Sequence, residues 1–354
     1  MSDAPTFRDT LARGVVLPAC PLALAPDRDL DERRQRALIR YYSAAGAGGI
    51  AVGIHTTQFE IHDPQTGLLE PVLALAAEEM DRADARRDAP LVRIAGVIGR
   101  TDQAVREAEL AARLRYDAVL LSLAALAEAE DEALVAPGRQ VAQVIPVVGF
   151  YLHPTIGGRV LSYGFWRRLA ELEDLVAIKV APFDRYRSLD VIRAMAEAGR
   201  DDVALYTGND DHVVLDLLTR YRFMVGGQPV ERRIVGGLLG HWAFWTKRAV
   251  ELLDACHGIM DAGEGVPPEM MRRAGEVTDA NAAVFDAAGA FRGVLPGIHE
   301  VLRRQGLLAG VCCLDGEACL SPGQAEEIDR VIAAYPHLTD DDFVAEHRDE
   351  WLSG

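Results

Sequence analysis

Short apolar runs separated by longer amphipathic stretches recur along most of the chain. The runs occupy residues 15–24, 50–54, 91–97, 118–123, 145–151, 175–181, 203–207 and 234–239. Each is bounded by glycine, proline or polar turn residues, the signature of buried strands. Between them, residues 31–45, 68–87, 101–114, 130–144, 165–171, 189–198 and 211–221 carry helical spacing. Thr101 is placed to cap the third of these stretches, and Pro137-Gly138 to interrupt the fourth. Near-continuous apolar strands alternating with helices predict a parallel sheet. Eight such units predict a closed (β/α)8 TIM barrel over residues 14–250. An open doubly wound sheet is the rival, weakened because no GxGxxG turn follows the first run. Residues 222–233 read as a Gly/Pro-containing insertion before the last strand. Residues 251–354 read as a C-terminal helical extension packed on the barrel, with helices at 267–285, 296–305 and 322–335.

Composition and charge narrow the function mainly by exclusion. A net charge of −17 and a pI near 5.0 argue against a general nucleic-acid binder and against binding to anionic membranes. The five cysteines, Cys20, Cys256, Cys312, Cys313 and Cys319, form neither an even disulfide framework nor the paired CxxC spacing of a zinc site. The first residues lack an apolar signal-peptide core, and no run reaches the roughly 20 apolar residues of a membrane span. These features predict a soluble, cytoplasmic protein.

The sixth run, Leu175-Val176-Ala177-Ile178-Lys179-Val180-Ala181, contains the chain's most unusual residue. Burying an ammonium is costly without a partner. The 37 basic residues include only two lysines, Lys179 and Lys247; the rest are arginines. A lysine kept inside a strand does something arginine cannot: when desolvated it loses its proton and attacks a carbonyl as a free amine. The competing reading is a lysine that snorkels from the strand end to solvent.

Active sites of (β/α)8 barrels lie at the C-terminal ends of the strands. Those ends here carry His55-Thr56-Thr57, Tyr151-Leu152-His153-Pro154, Lys179, Thr207-Gly208-Asn209-Asp210-Asp211 and Gly240-His241. The fifth and sixth strands are neighbours, so Tyr151 is expected to face Lys179 at one depth, as an acid–base pair for imine chemistry. His55, His153 and His241, with Asp210 and Asp211, offer a rival: a divalent metal site for a metal-assisted aldolase or hydrolase.

Taken together, these segments resemble the dihydrodipicolinate synthase/N-acetylneuraminate lyase family of Schiff-base aldolases. His55-Thr56-Thr57 resembles the family's G-T-T turn, Tyr151-Leu152-His153-Pro154 its Y-N-x-P motif, Val176-Ala177-Ile178-Lys179 its G-I-K strand, and Thr207-Gly208-Asn209-Asp210-Asp211 its S-G-D-D turn. The resemblance implies that Lys179 forms an imine with a 2-oxo acid such as pyruvate and that Tyr151 transfers the proton. It implies that Thr56 and Thr57 bind the carboxylate, and that His55, His153, Gly208, Asn209 and His241 line the substrate site. It further implies a lyase or dehydratase that needs no external cofactor or metal, assembled as a homo-oligomer, dimer or tetramer. The departures are also specific. His55 replaces the turn glycine, Leu152 replaces the asparagine, and the relay tyrosine of the synthase branch falls on Ser122-Leu123-Ala124-Ala125. That branch's dicarboxylate-gripping arginine falls on Ile156, with Arg159 nearby but out of register. These departures keep open a binding barrel that has lost catalysis.

Overall fold

The computed structural model describes residues 5–126 and 129–353. Its strands are β1 (Val16–Pro18), β2 (Gly49–Val52), β3 (Val92–Val97), β4 (Ala118–Leu121), β5 (Val147–Leu152), β6 (Leu175–Ala181), β7 (Ala204–Thr207), β8 (Arg220–Val225), β9 (Gln228–Arg233) and β10 (Gly236–Leu239). Eight of them pair in the order β1-β10-β7-β6-β5-β4-β3-β2, and every pairing is parallel. The sheet closes on itself. Ala19 bridges Ala51 in parallel, Cys20 N–H donates to Ala51 O at 2.9 Å, and Gly48 N–H donates to Val16 O at 3.1 Å. The molecule is a (β/α)8 barrel.

The helices follow local signals. Asp31 caps Glu32–Ala45 by accepting from the Arg34 N–H, and Gly46 ends that helix with φ +97°. Three expectations need correction. The cap of Thr101–Arg113 is Arg100, which makes no side-chain capping bond. Pro137 sits inside Asp131–Val141 without breaking it. The seventh helix is only Val213–Leu218, because Tyr221 and Phe223 belong to β8. β8 and β9 pair with each other alone, turned by Gly226-Gly227, both at positive φ, the conformation a tight hairpin demands.

Side-chain alternation along the strands divides the core in two. Leu17, Ile94, Leu120, Phe150, Ala177, Tyr206 and Leu238 fill the barrel interior. Ile50, Val119, Tyr151, Ile178, Val180 and Leu205 pack outward against the helices. The helix Phe7–Arg13 closes the floor, where Tyr206 Oη donates to Leu11 O at 2.9 Å. Beyond β10 run the helices Thr246–Ala262, Pro268–Val284, Val294–Arg304, Gln324–Ala334 and Asp341–Ser353. The last of these lies against Glu32–Ala45: the Tyr41 and Trp351 rings are 5.5 Å apart, and Arg40 donates to Trp351 O at 2.6 Å. No helix among the described residues is long and apolar enough to cross a membrane.

Candidate active site

Lys179 lies near the C-terminal end of β6 and points into the barrel, 7 % exposed, with Nζ 4.6 Å above the Phe150 ring. The stem lies across Gly208. A Cβ there would meet Lys179 Cε at 2.8 Å, Lys179 Cγ at 3.1 Å and Ala181 Cβ at 2.7 Å, so only glycine leaves room. Burial pulls the ammonium down to about 8, and the nearby Asp210 carboxylate opposes that shift. Among the described residues Nζ has no hydrogen-bond or ion-pair partner. It opens on a cleft walled by Ile54, His55, Leu152, Phe183, Asp210 and, from the helical extension, Phe291. Phe285, Val294 and Ile298 of the same extension complete a largely apolar roof.

Tyr151 does not face the lysine. β5 and β6 begin in register at Val147↔Leu175, which, carried forward, would set Tyr151 opposite Lys179. A bulge between Val147 and Val148 shifts the pairing by one residue, so Phe150 opposes Lys179 and Tyr151 opposes Val180. A one-residue slip sends a strand side chain to the other face. The Tyr151 ring therefore packs outward on Trp166, centroids 5.5 Å apart. Its hydroxyl donates to Leu161 O at 3.3 Å and accepts from the Leu161 N–H at 3.2 Å. The expected Tyr151–Lys179 acid–base pair is absent; the inward residues flanking Tyr151 are Phe150, opposite Lys179, and Leu152, which lines the cleft.

The two threonines also separate. Thr56 lines the cleft, and its buried Oγ1 has no partner among the described residues. Thr57 instead ties the loop: Oγ1 donates to Cys20 O at 2.7 Å and accepts from the Gly53 N–H at 2.9 Å. The Thr57 hydroxyl is thus taken up by the loop backbone, and Thr57 does not line the cleft as Thr56 does.

The three histidines diverge. His55 lines the cleft, held down to about 4 by burial and then by the Lys179 charge, which leaves it neutral. His153 stands at the rim, its ring 5.3 Å from Phe183 and 5.9 Å from Phe291, with Nδ1 accepting from the Thr155 N–H. The His241 ring leaves the cleft for a separate cavity of about 260 Å³ between the helices Thr246–Ala262 and Pro268–Val284. The expected gathering of His55, His153 and His241 at one mouth is therefore corrected. Among the described residues, no three His, Cys, Asp or Glu side chains converge where they could hold a metal ion.

Asn209 is buried behind the cleft. Its Oδ1 accepts from the Phe183 N–H at 3.0 Å and its Nδ2 donates to Asp216 at 2.9 Å. It does not line the cleft but fixes Phe183, whose φ of +52° is unusual for a bulky side chain. Asp210, one residue on, does reach the cleft. One oxygen accepts from the His241 N–H at 3.0 Å, while burial pushes the carboxyl up to about 7. Arg159 does not occupy the position of the missing clamp: it donates to Leu126 O and Ala129 O, at 2.5 and 2.9 Å.

No family model and no curated protein matches the chain. Solved structures do. Dihydrodipicolinate synthase from Oceanobacillus iheyensis superposes with a TM-score of 0.72 at 18 % identity, covering 94 % of this chain and 99 % of that one. The chain has the fold of dihydrodipicolinate synthase. A second such enzyme, from Acinetobacter baumannii and complexed with pyruvate, gives 0.67 at 19 % identity, covering 91 % and 98 %. CdNal from Clostridium difficile, in complex with mannosamine, gives 0.68 at 17 % identity, covering 91 % and 99 %. At these identities the likeness concerns the fold. The dihydrodipicolinate-synthase fold puts Lys179, Gly208, Asp210 and Thr56 around one cleft at the C-terminal ends of the strands, where such barrels act.

The sequence reading missed the aromatic wall of Phe183, Phe285 and Phe291, and gave Asp210 only a metal-binding role. Position 183 carried a signal, since it follows Pro182 directly after the lysine strand. Positions 285 and 291 carried none, because they come from the distant extension.

Proposed function

We propose that the protein is a class I lyase or aldolase in which Lys179 forms a Schiff base with a 2-oxo acid such as pyruvate. The observation that carries this reading is the Lys179 amine itself, desolvated, unpaired and laid across a glycine at the end of β6. Desolvation makes the free amine accessible near neutral pH, where it attacks a ketone. The imine is then an electron sink for carbon–carbon or carbon–oxygen cleavage through an enamine. Thr56 lines the cleft, and its buried hydroxyl, unpartnered among the described residues, is the donor we assign to the substrate carboxylate. The neutral His55 can add a second polar contact. The Acinetobacter enzyme of like fold was captured with pyruvate, which supports the 2-oxo acid class.

The second substrate or leaving fragment lies under Phe183, Phe285, Phe291 and Ile156. Among the described residues no guanidinium lines that side, and apolar surface does not replace a bidentate arginine for a second carboxylate. We therefore assign an apolar or aromatic carbonyl partner rather than an amino-acid semialdehyde. The outward-facing Tyr151 alone favours a non-catalytic binding barrel instead. One experiment separates the two: borohydride inactivation that depends on added 2-oxo acid supports the lyase. Reversible binding without any covalent trapping supports the binding barrel.

A further inference from the structure

We infer that Asp210 carries the protons of imine formation at Lys179, the task that the strand-five motif suggested for Tyr151. The inference rests on the Schiff-base reading above. Among the described residues three ionisable side chains line the cleft: His55, Lys179 and Asp210. Tyr151 is on the other face of β5 with its hydroxyl engaged by the Leu161 backbone. His55 is a poor proton carrier near neutral pH, because burial and the lysine charge keep it unprotonated down to about 4.

Asp210 has the placement the role needs. Lys179 pairs with Tyr206 across β6 and β7, so Asp210 sits four residues farther on, past the strand end and toward the mouth. Gly208 leaves room for the lysine stem, and Lys179, Gly208 and Asp210 line the same cleft. The carboxylate is held, not loose. The His241 N–H donates to Oδ1 at 3.0 Å, and Asn281 Nδ2 donates to the Asp210 backbone carbonyl at 2.7 Å. Its second oxygen, Oδ2, accepts no hydrogen bond from another described residue and is the proton acceptor.

The steps balance. The Asp210 carboxylate, beyond ion-pair distance of Nζ, takes a proton from the Lys179 ammonium through one intervening water, leaving a free amine and a carboxylic acid. The amine nitrogen bonds to C2 of the 2-oxo acid, and its proton moves to the carbonyl oxygen, giving a carbinolamine. Asp210 then protonates that hydroxyl, the C–O bond breaks, water leaves, and a protonated imine remains beside a restored carboxylate. The reactive state holds one proton shared between the two groups, so its pH limits belong to the pair.

The test uses the full chain, pyruvate, and timed borohydride quenching from pH 5 to 9, with adduct mass as readout. The wild type should give a bell-shaped rate of imine formation, with limbs near 7 and 8. Asp210→Asn keeps the acceptor for the His241 N–H but cannot carry a proton. It should slow imine formation by about 10²–10⁴ and turn the bell into a single rise with pH. Wild-type rate and profile in Asp210→Asn overturn the inference while leaving the Schiff-base reading intact. A wild type that forms no adduct with pyruvate or other 2-oxo acids overturns both. If the asparagine variant does not fold, a wild-type profile lacking the acid limb, or a hundredfold slowing in Tyr151→Phe, overturns the inference alone.

Discussion

Gly208→Ala is the sharpest perturbation of the lysine's position. The new Cβ would stand 2.8 Å from Lys179 Cε and 2.7 Å from Ala181 Cβ, both closer than carbon atoms pack. The lysine stem is flexible and can swing away, but Ala181 Cβ is fixed to the β6 backbone, so Gly208 or the strand must shift. Overpacking a core position costs about 1–3 kcal/mol, against about 0.4–1 kcal/mol recovered by stiffening the unfolded chain. The net expectation is a loss of about 1–2 kcal/mol in denaturant unfolding, the fold remaining intact. The chemical effect is larger, because a displacement of about 1 Å at a reacting atom costs about 10² in rate. Timed borohydride trapping with pyruvate should therefore fall by about a hundredfold while circular dichroism stays native. Native stability together with wild-type trapping would refute the claim that the lysine is positioned across Gly208.

The threonines should split in opposite directions. Thr56→Val should raise the KM for the 2-oxo acid about tenfold with unchanged or improved stability, since its buried hydroxyl is unpartnered. Thr57→Val should cost about 1–3 kcal/mol on unfolding, because it strands the Cys20 carbonyl and the Gly53 N–H. Tyr151→Phe should lose about 1 kcal/mol with its Leu161 bonds and keep its trapping rate. Lys179→Met should abolish trapping yet stabilise the fold near pH 7. The drop from 10.5 to about 8 corresponds to at most about 3 kcal/mol of buried-charge penalty in the wild type. The sign follows from linkage: between about 8 and 10.5 the unfolded lysine holds the proton more than the folded one, so wild-type stability rises with pH across that window. Lys179→Met should lack that rise.

The barrel was legible because its signal is repeated. Eight apolar runs with helical stretches between them admit few topologies, and the runs after the first end where the strands end to within a few residues, while the first run outlasts β1 (Val16–Pro18). Lys179 was legible for a related reason: a charge inside the run Leu175–Ala181 violates the local pattern, and patterns break at functional sites. Tyr151 was misplaced by one register step. Counting residues along β5 and β6 assumes an unbroken ladder, and nothing in the residues at 147 and 148 announces the bulge that inverts the facing. The hydrogen bonding of Thr57 and Asn209 was not legible, because both sit at strand ends where loop backbone groups need partners and their side chains supply them. The histidines were grouped by strand number, but a side chain at a strand end can turn into the cleft, as at His55, or away from it, as at His241. The roof residues Phe285 and Phe291 depend on packing between segments about a hundred residues apart, which periodicity does not encode.

The central claim is that Lys179, and not merely some amine of the protein, forms the imine. Reduction with borohydride in the presence of pyruvate, followed by peptide mass mapping, addresses this directly, because the chain offers only Lys179 and Lys247 besides its N-terminus. One pyruvate-derived adduct per chain is expected, on the peptide containing Lys179, absent when pyruvate or borohydride is omitted. An adduct on Lys247, or none with any of a range of 2-oxo acids, would contradict it.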